Sequence, residues 1–105
     1  MERPRPLGPA EAFEAIQRLL REGDVLGWSA HARQRALERG VTADDVRQVL
    51  VAGTVSTTPE WNDRFQNWNY VVGGRDCDGE RLAIVIALVP AQCRVTIVTV
   101  KDVNP

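Results

Sequence analysis

The chain has 105 residues, 44% hydrophobic and 26% charged, with 13 basic and 14 acidic side chains and a formal net charge of -1. That length holds one modest core, and the balance excludes an intrinsically disordered polymer. Near-neutral charge also excludes nucleic-acid binding by bulk electrostatics, so contact with a polyanion must come from a local patch. The start, MERPRPLGPAEAF, has no apolar run of signal-peptide length, and no window approaches the roughly 20 apolar residues of a membrane span. Cys77 and Cys93 do not form a zinc pattern. A cytoplasmic location is expected, with no metal, no cofactor and no membrane contact.

Residues 1–8 mix proline and glycine with charge and predict a flexible N-terminus, and residues 9–105 predict a single domain. Pro9 suits a first helical turn, and Ala12, Phe13, Ile16, Leu19 and Leu20 recur at helical spacing, so a helix is expected over 9–23, closed by Gly23. Ser29 can cap a second helix running to Arg39, which Gly40 stops. Thr42 with Asp45 three residues later has the form of a capping box. It opens a third helix whose stripe is Val46, Val49 and Leu50 and whose end is Gly53, with Val41 able to staple onto Val46.

After Gly53 the period falls to two. A short edge strand is expected over 54–58. A longer one over 64–73 would carry Trp68, Tyr70 and Val72 on one face, and Phe65, Asn67, Asn69 and Val71 on the other. Asp76 to Gly79 reads as a turn, 81–89 as a central strand apolar on both faces, 90–93 as a second turn and 94–101 as the last strand. Hairpin connections make the sheet antiparallel. Cys77 and Cys93 then fall at opposite ends of a strand spanning roughly 25–30 Å at about 3.3 Å per residue, too far for a disulfide. The expected fold is α+β, with N-terminal helices packed on one face of a three- to four-stranded antiparallel sheet.

The chemistry concentrates in the second helix. His31, Arg35 and Arg39 are spaced by four and climb one side, flanked by Ala32 and Ala36, whose small side chains let the helix lie close to a sheet. An imidazole exchanges a proton near neutrality, and a guanidinium steadies a phosphate gaining negative charge. Spacing alone also fits a capping or solvent histidine and a solvated arginine–glutamate face. Trp68 and Tyr70 fit a stacking platform for bases or, more in keeping with such residues, the core beneath the helices. Trp61, beside Pro59, is the better candidate for an exposed contact.

The run S-x-H-A-x-x-R-x-x-E-R-G-V-T-x-x-D-V-x-x-V-L-x-x-G from Ser29 to Gly53, with G-x-R-L-A-I-V over 79–85 and V-T-I-V-T-V over 95–100, resembles the domain-of-unknown-function family numbered 4258. The resemblance covers residues 28–101 and leaves the first helix outside. That family resembles RelE-like and barnase-like toxins of toxin–antitoxin modules. It implies a metal-independent mRNA endoribonuclease, free or ribosome-dependent, whose partners are RNA and a cognate antitoxin protein. Carried over by position, His31 and Arg35 match the family's helix, and Arg64, Tyr70 and Thr99 are the matching sheet candidates. The implied catalytic set is His31, Arg35, Arg64 and Tyr70, with Arg33, Arg39, Trp61, Thr99 and Lys101 for RNA contact. Two other readings stand beside it. A DNA-binding helix-turn-helix across Gly40 to Thr42 would put Asp44 and Asp45 against phosphates. A non-enzymatic immunity or adaptor module could share the fold.

Overall fold

Helix α1 (Pro9–Arg21) starts where Pro9 can supply a helical φ without missing a hydrogen bond, and Glu11 Oε1 accepts the Gly8 N–H at 3.3 Å. Its buried stripe is Ala12, Ile16, Leu19 and Leu20, and Phe13, expected on the same stripe, is only partly buried against the core. The computed structural model describes residues 3–22, 26–89 and 94–102. The expected stop at Gly23 and the turn at 90–93, with Cys93, lie outside the described residues; Glu22 is the helix's C-cap.

Strand β1 (Leu26–Trp28) leads into α2 (Ala30–Arg39), and Ser29 joins them. Its N–H donates to Ile97 O at 3.0 Å and its hydroxyl to Val98 O at 2.9 Å, while Oγ accepts the Ala32 N–H at 3.0 Å. One residue thus caps the helix and fastens it to the sheet. Gly40, at φ 67°, ends α2 in the left-handed region that favours glycine. Thr42 and Asp45 then form the reciprocal cap of α3 (Ala43–Ala52).

Five further strands follow: β2 (Thr54–Val55), β3 (Glu60–Asn62), β4 (Asn67–Arg75), β5 (Arg81–Val89) and β6 (Arg94–Asp102). The sheet runs β1-β6-β5-β4-β2, with β3 also paired to β4. Among the described residues it therefore has six strands rather than three or four, and β1 lies parallel to β6. The added strands, Leu26–Trp28 and Glu60–Asn62, are only three residues long, too short to show a period. The strand expected over 64–73 begins at Asn67 instead, because residues 63–66 form a turn in which Gln66 takes φ 53°. Arg64 and Phe65 therefore belong to a turn and not to the sheet.

Helices α1, α2 and α3 cover one face. Tyr70 and Val72 of β4, Leu82, Ile84, Ile86 and Leu88 of β5, and Val95, Ile97 and Val100 of β6 meet the helical stripes there. A bulge at Val98 shifts the phase of β6, so Ile97 and Val100 both reach this core. The other face carries Asn69, Val71 and Gly73 of β4, Ala83, Val85 and Ala87 of β5, and Thr96, Thr99 and Lys101 of β6. Small side chains keep the middle of that face low, and Ala83, Val85 and Ala87 are buried between their neighbours.

Residues 3–8 have no helix or strand, yet they are tied to the sheet. Leu7 N–H donates to Tyr70 Oη at 2.9 Å, Trp68 Nε1 donates to Pro4 O at 2.6 Å, and the Arg3 guanidinium sits 5.2 Å above the Trp61 ring. Cys77 is an exposed free thiol in the β4–β5 hairpin.

Candidate functional site

At 100° per residue, Ala32 and Ala36 set the buried line of α2, with His31, Arg35 and Arg39 on one flank and Arg33 and Leu37 on the other. His31 is exposed in the first turn, two residues beyond the Ser29 anchor. Arg35 is half-buried, and its Nη1 donates to Glu38 Oε2 at 3.4 Å. Its Nε is shut off from solvent and meets no acceptor among the described residues. Arg39 is half-buried at the end of the helix. On the opposite flank Arg33 helps line a groove of about 350 Å3 with Trp28, Ala36, Leu37 and Val41.

The remaining candidates lie elsewhere. Tyr70 is 5% exposed, in the core row that runs Tyr70, Ile86, Ile97 across β4, β5 and β6. Its hydroxyl accepts from Leu7, which fits the core reading of Tyr70 and gives its oxygen a structural task. Strands β4 and β6 stand roughly 10 Å apart at about 4.8 Å per spacing. No hydrogen bond, ion pair or ring contact among the described residues joins Tyr70 to the start of α2. Tyr70→Phe is expected to cost about 1 kcal/mol in chemical denaturation through the lost Leu7 contact. If it also abolished function without that loss, the structural account of Tyr70 would be wrong.

Arg64 is exposed in the 63–66 turn at the β3–β4 edge, stacked 5.3 Å over Phe65. Trp61 is half-buried on β3, edge-on to Trp68 at 5.2 Å, with its Nε1 donating to Asp63 Oδ1 at 2.8 Å. Thr99 and Lys101 lie on the uncovered face of β6. The structure thus brings His31, Arg35 and Arg39 into one ridge, and it sets Arg64, Trp61 and Tyr70 apart from it.

Two features of the uncovered face escaped the sequence reading. Asn67 and Asn69 each bury an Oδ1 that has no hydrogen bond among the described residues. Arg75 and Arg81 stand directly opposite one another. The signal for the second was present in the hairpin: once Asp76 to Gly79 is the turn, the register pairs the residues flanking it.

Electrostatics single out Asp45 and Cys77. Asp45 is 6% exposed, and its carboxyl is held below the usual range first by the Thr42 backbone N–H and then by that of Cys77. The Cys77 thiol is pushed up, first by its hydrogen bond to Asp45 and then by desolvation and surrounding acids. A raised thiol holds less of the reactive thiolate at neutral pH, so its surroundings do not activate Cys77. Among the described residues no group of three or more His, Cys, Asp or Glu is arranged to hold a metal ion. No described helix is long and apolar enough to cross a membrane.

Fold and site together define an α+β protein whose helices cover one face of an open, mostly antiparallel sheet and whose second helix carries a His–Arg ridge. The chain belongs to the family described as Domain of unknown function (DUF4258), whose model matches residues 28–102. Helix α1 lies before the matched region. No curated protein and no solved structure matches the chain at a significant level.

Proposed function

We propose that this protein is a metal-independent endoribonuclease acting on mRNA in the cytoplasm, the toxin of a toxin–antitoxin module held in check by a cognate protein partner. The observation that carries the reading is the α2 ridge. An exposed imidazole stands one turn before a guanidinium whose Nε is buried with no acceptor among the described residues. Arg35 is anchored by its buried Nε end and one bond to Glu38, and its partly exposed guanidinium edge keeps further donors, as a group that must meet phosphate oxygens requires. The family's resemblance to RelE-like and barnase-like toxins supports the same reading.

In the proposed reaction the ribose 2′-oxygen attacks the adjacent phosphorus and the 5′-oxygen of the next nucleotide leaves, giving a 2′,3′-cyclic phosphate. His31 takes the 2′-hydroxyl proton or supplies one to the leaving oxygen. As the only histidine, it serves one of these transfers, and water serves the other. Arg35 donates to the non-bridging oxygens as charge builds on them.

His31→Ala is expected to lower cleavage of RNA about 10²–10⁴-fold, the usual contribution of a positioned acid or base. Arg35→Ala is expected to lower it about 10²-fold or more. Both should relieve growth arrest on induced expression. Cleavage by purified protein in EDTA, with and without ribosomes, is the measurement. Unchanged cleavage and arrest in His31→Ala removes this histidine from the reaction, and loss of wild-type cleavage in EDTA removes the metal-independent mechanism.

One observation favours a non-enzymatic interaction module instead. Leu37 is 82% exposed beside the groove formed by Trp28, Arg33, Ala36 and Val41, an apolar surface suited to another protein. RNA left intact under all those conditions, together with tight binding to a protein partner that is lost in Leu37→Glu, would establish that reading.

A further inference from the structure

The β4–β5 hairpin places like charges where an antiparallel sheet ordinarily avoids them. Arg75 ends β4, Arg81 begins β5, and the register sets them directly opposite one another. Directly paired residues share a face, and here it is the face without helices, since the next row inward is Gly73 against Ala83, in alternation with the core row Val72 against Ile84. Like charges at such positions repel and destabilise the pair.

Nothing among the described residues offsets that repulsion. Neither arginine makes an ion pair with a described side chain. Arg75 Nη1 donates to Gly79 O at 2.8 Å, which fixes its guanidinium over the hairpin and leaves its other N–H groups available. Of the hairpin's acids, Asp76 turns Oδ1 to the N–H groups of Asp78 and Glu80, at 2.9 Å each, and Asp78 and Glu80 are exposed, with no ion pair to either arginine among the described residues. A third cation adjoins the pair: Lys101 lies opposite Ala83 on β6, one row inward. Beside the two arginines is a cavity of about 300 Å3 lined by Gly73, Gly74, Arg75 and Arg81. A Cβ built on Gly73 would meet nothing within 4 Å, so its floor is bare backbone with open space above.

We infer that Arg75 and Arg81 form an anion site on the uncovered sheet face, with Lys101 adding positive charge one row inward, and that its occupant is a phosphate group of the RNA strand. A phosphodiester would turn the repulsion into shared attraction, because each guanidinium offers parallel N–H donors to its oxygens. The chain's net charge of -1 makes such a local cluster the kind of patch a polyanion needs. That the phosphate belongs to RNA rests on the ribonuclease proposal; that the site takes phosphate does not.

Two readouts on the full chain separate these claims. The first is the thermal unfolding midpoint against inorganic phosphate at constant ionic strength. Phosphate should raise the wild-type midpoint and leave Arg75→Gln/Arg81→Gln unmoved. Without phosphate the double variant should melt close to wild type, because relief of the repulsion offsets loss of the Arg75–Gly79 hydrogen bond. The second is fluorescence anisotropy with a 12-nucleotide 2′-O-methyl RNA, which cannot be cleaved. The double variant should bind at least tenfold more weakly, with the slope of log affinity against log salt reduced by about one to two. A wild-type midpoint indifferent to phosphate, with equal RNA affinity in both proteins, overturns the site. A phosphate response with equal RNA affinity overturns the RNA occupant. RNA bound through these residues but never cleaved with natural sugars upholds the site while ending the nuclease reading.

Discussion

Gly53→Ala is expected to destabilise the protein by about 3 kcal/mol, at the upper end of what one inserted methyl costs in a packed site. Gly53 ends α3, and its N–H donates to Val49 O at 2.7 Å. An added Cβ would collide with that same Val49 oxygen, fall 2.6 Å from Gly73 O and 3.0 Å from Val72 Cγ1. The first two are backbone atoms, one in the last turn of the helix and one on β4, so neither can yield without moving a helix or a strand. The dihedrals, φ -83° and ψ -175°, suit any residue, so the requirement is space and not backbone freedom. Urea unfolding should show a lower midpoint with an unchanged m-value. Gly73→Ala is the control, because its Cβ enters open space; it should cost nothing and remove chain entropy from the unfolded state. Equal midpoints for the two variants would mean that α3 and β4 do not meet this closely.

The elements legible in the sequence are those whose signals are local. Ser29, Gly40 and Thr42 with Asp45 mark helix ends through contacts within four residues, and the structure closes those ends at the same places. The central strand announced itself through apolar residues on both faces. The sheet's extent was not legible, because β1 depends on β6 some seventy positions away, and three residues carry no period of their own. By pattern alone the turn before β4 looks like strand, because Arg64 and Phe65 continue the alternation. The structure there follows Gln66 at positive φ and Asn62 Oδ1 accepting the Phe65 N–H at 3.1 Å.

The candidate site divides along the same line. The ridge of His31, Arg35 and Arg39 follows from helical spacing, so sequence was enough to assemble it. Groups drawn from different strands need the register and the covered face. Tyr70 and Thr99 differ in face, since β4 and β6 are related through β5 and the bulge at Val98 resets the phase of β6. No alternation rule carried along one strand could show that Tyr70 faces the helices while Thr99 faces away.

Asp45→Ala is expected to cost about 2–3 kcal/mol, because three donors lose one carboxylate. Asp45 Oδ2 accepts the Thr42 N–H at 2.9 Å and the Thr42 hydroxyl at 3.0 Å, and Oδ1 accepts the Cys77 N–H at 3.0 Å. The first pair completes the α3 cap; the third ties that cap to the β4–β5 hairpin across 32 positions of chain. These donors hold the carboxyl below its ordinary value near 3.8, the Thr42 backbone foremost. A carboxyl whose folded pKa is depressed adds stability that is present above the unfolded pKa and is lost as pH falls through the folded one. Asp45→Asn keeps one acceptor for Cys77 but turns an NH2 toward the Thr42 N–H, so it should be destabilised at pH 7 and should not titrate. The gap in urea midpoint between wild type and Asp45→Asn should therefore be full at pH 7 and pH 5 and shrink below about pH 4, as the wild-type carboxyl takes up its proton. Comparing the two proteins cancels the titration of every other acid. A gap that stays constant down to pH 2.5 would mean that Asp45 acts through its shape and not through its charge, and the hairpin would then be held to α3 by packing alone.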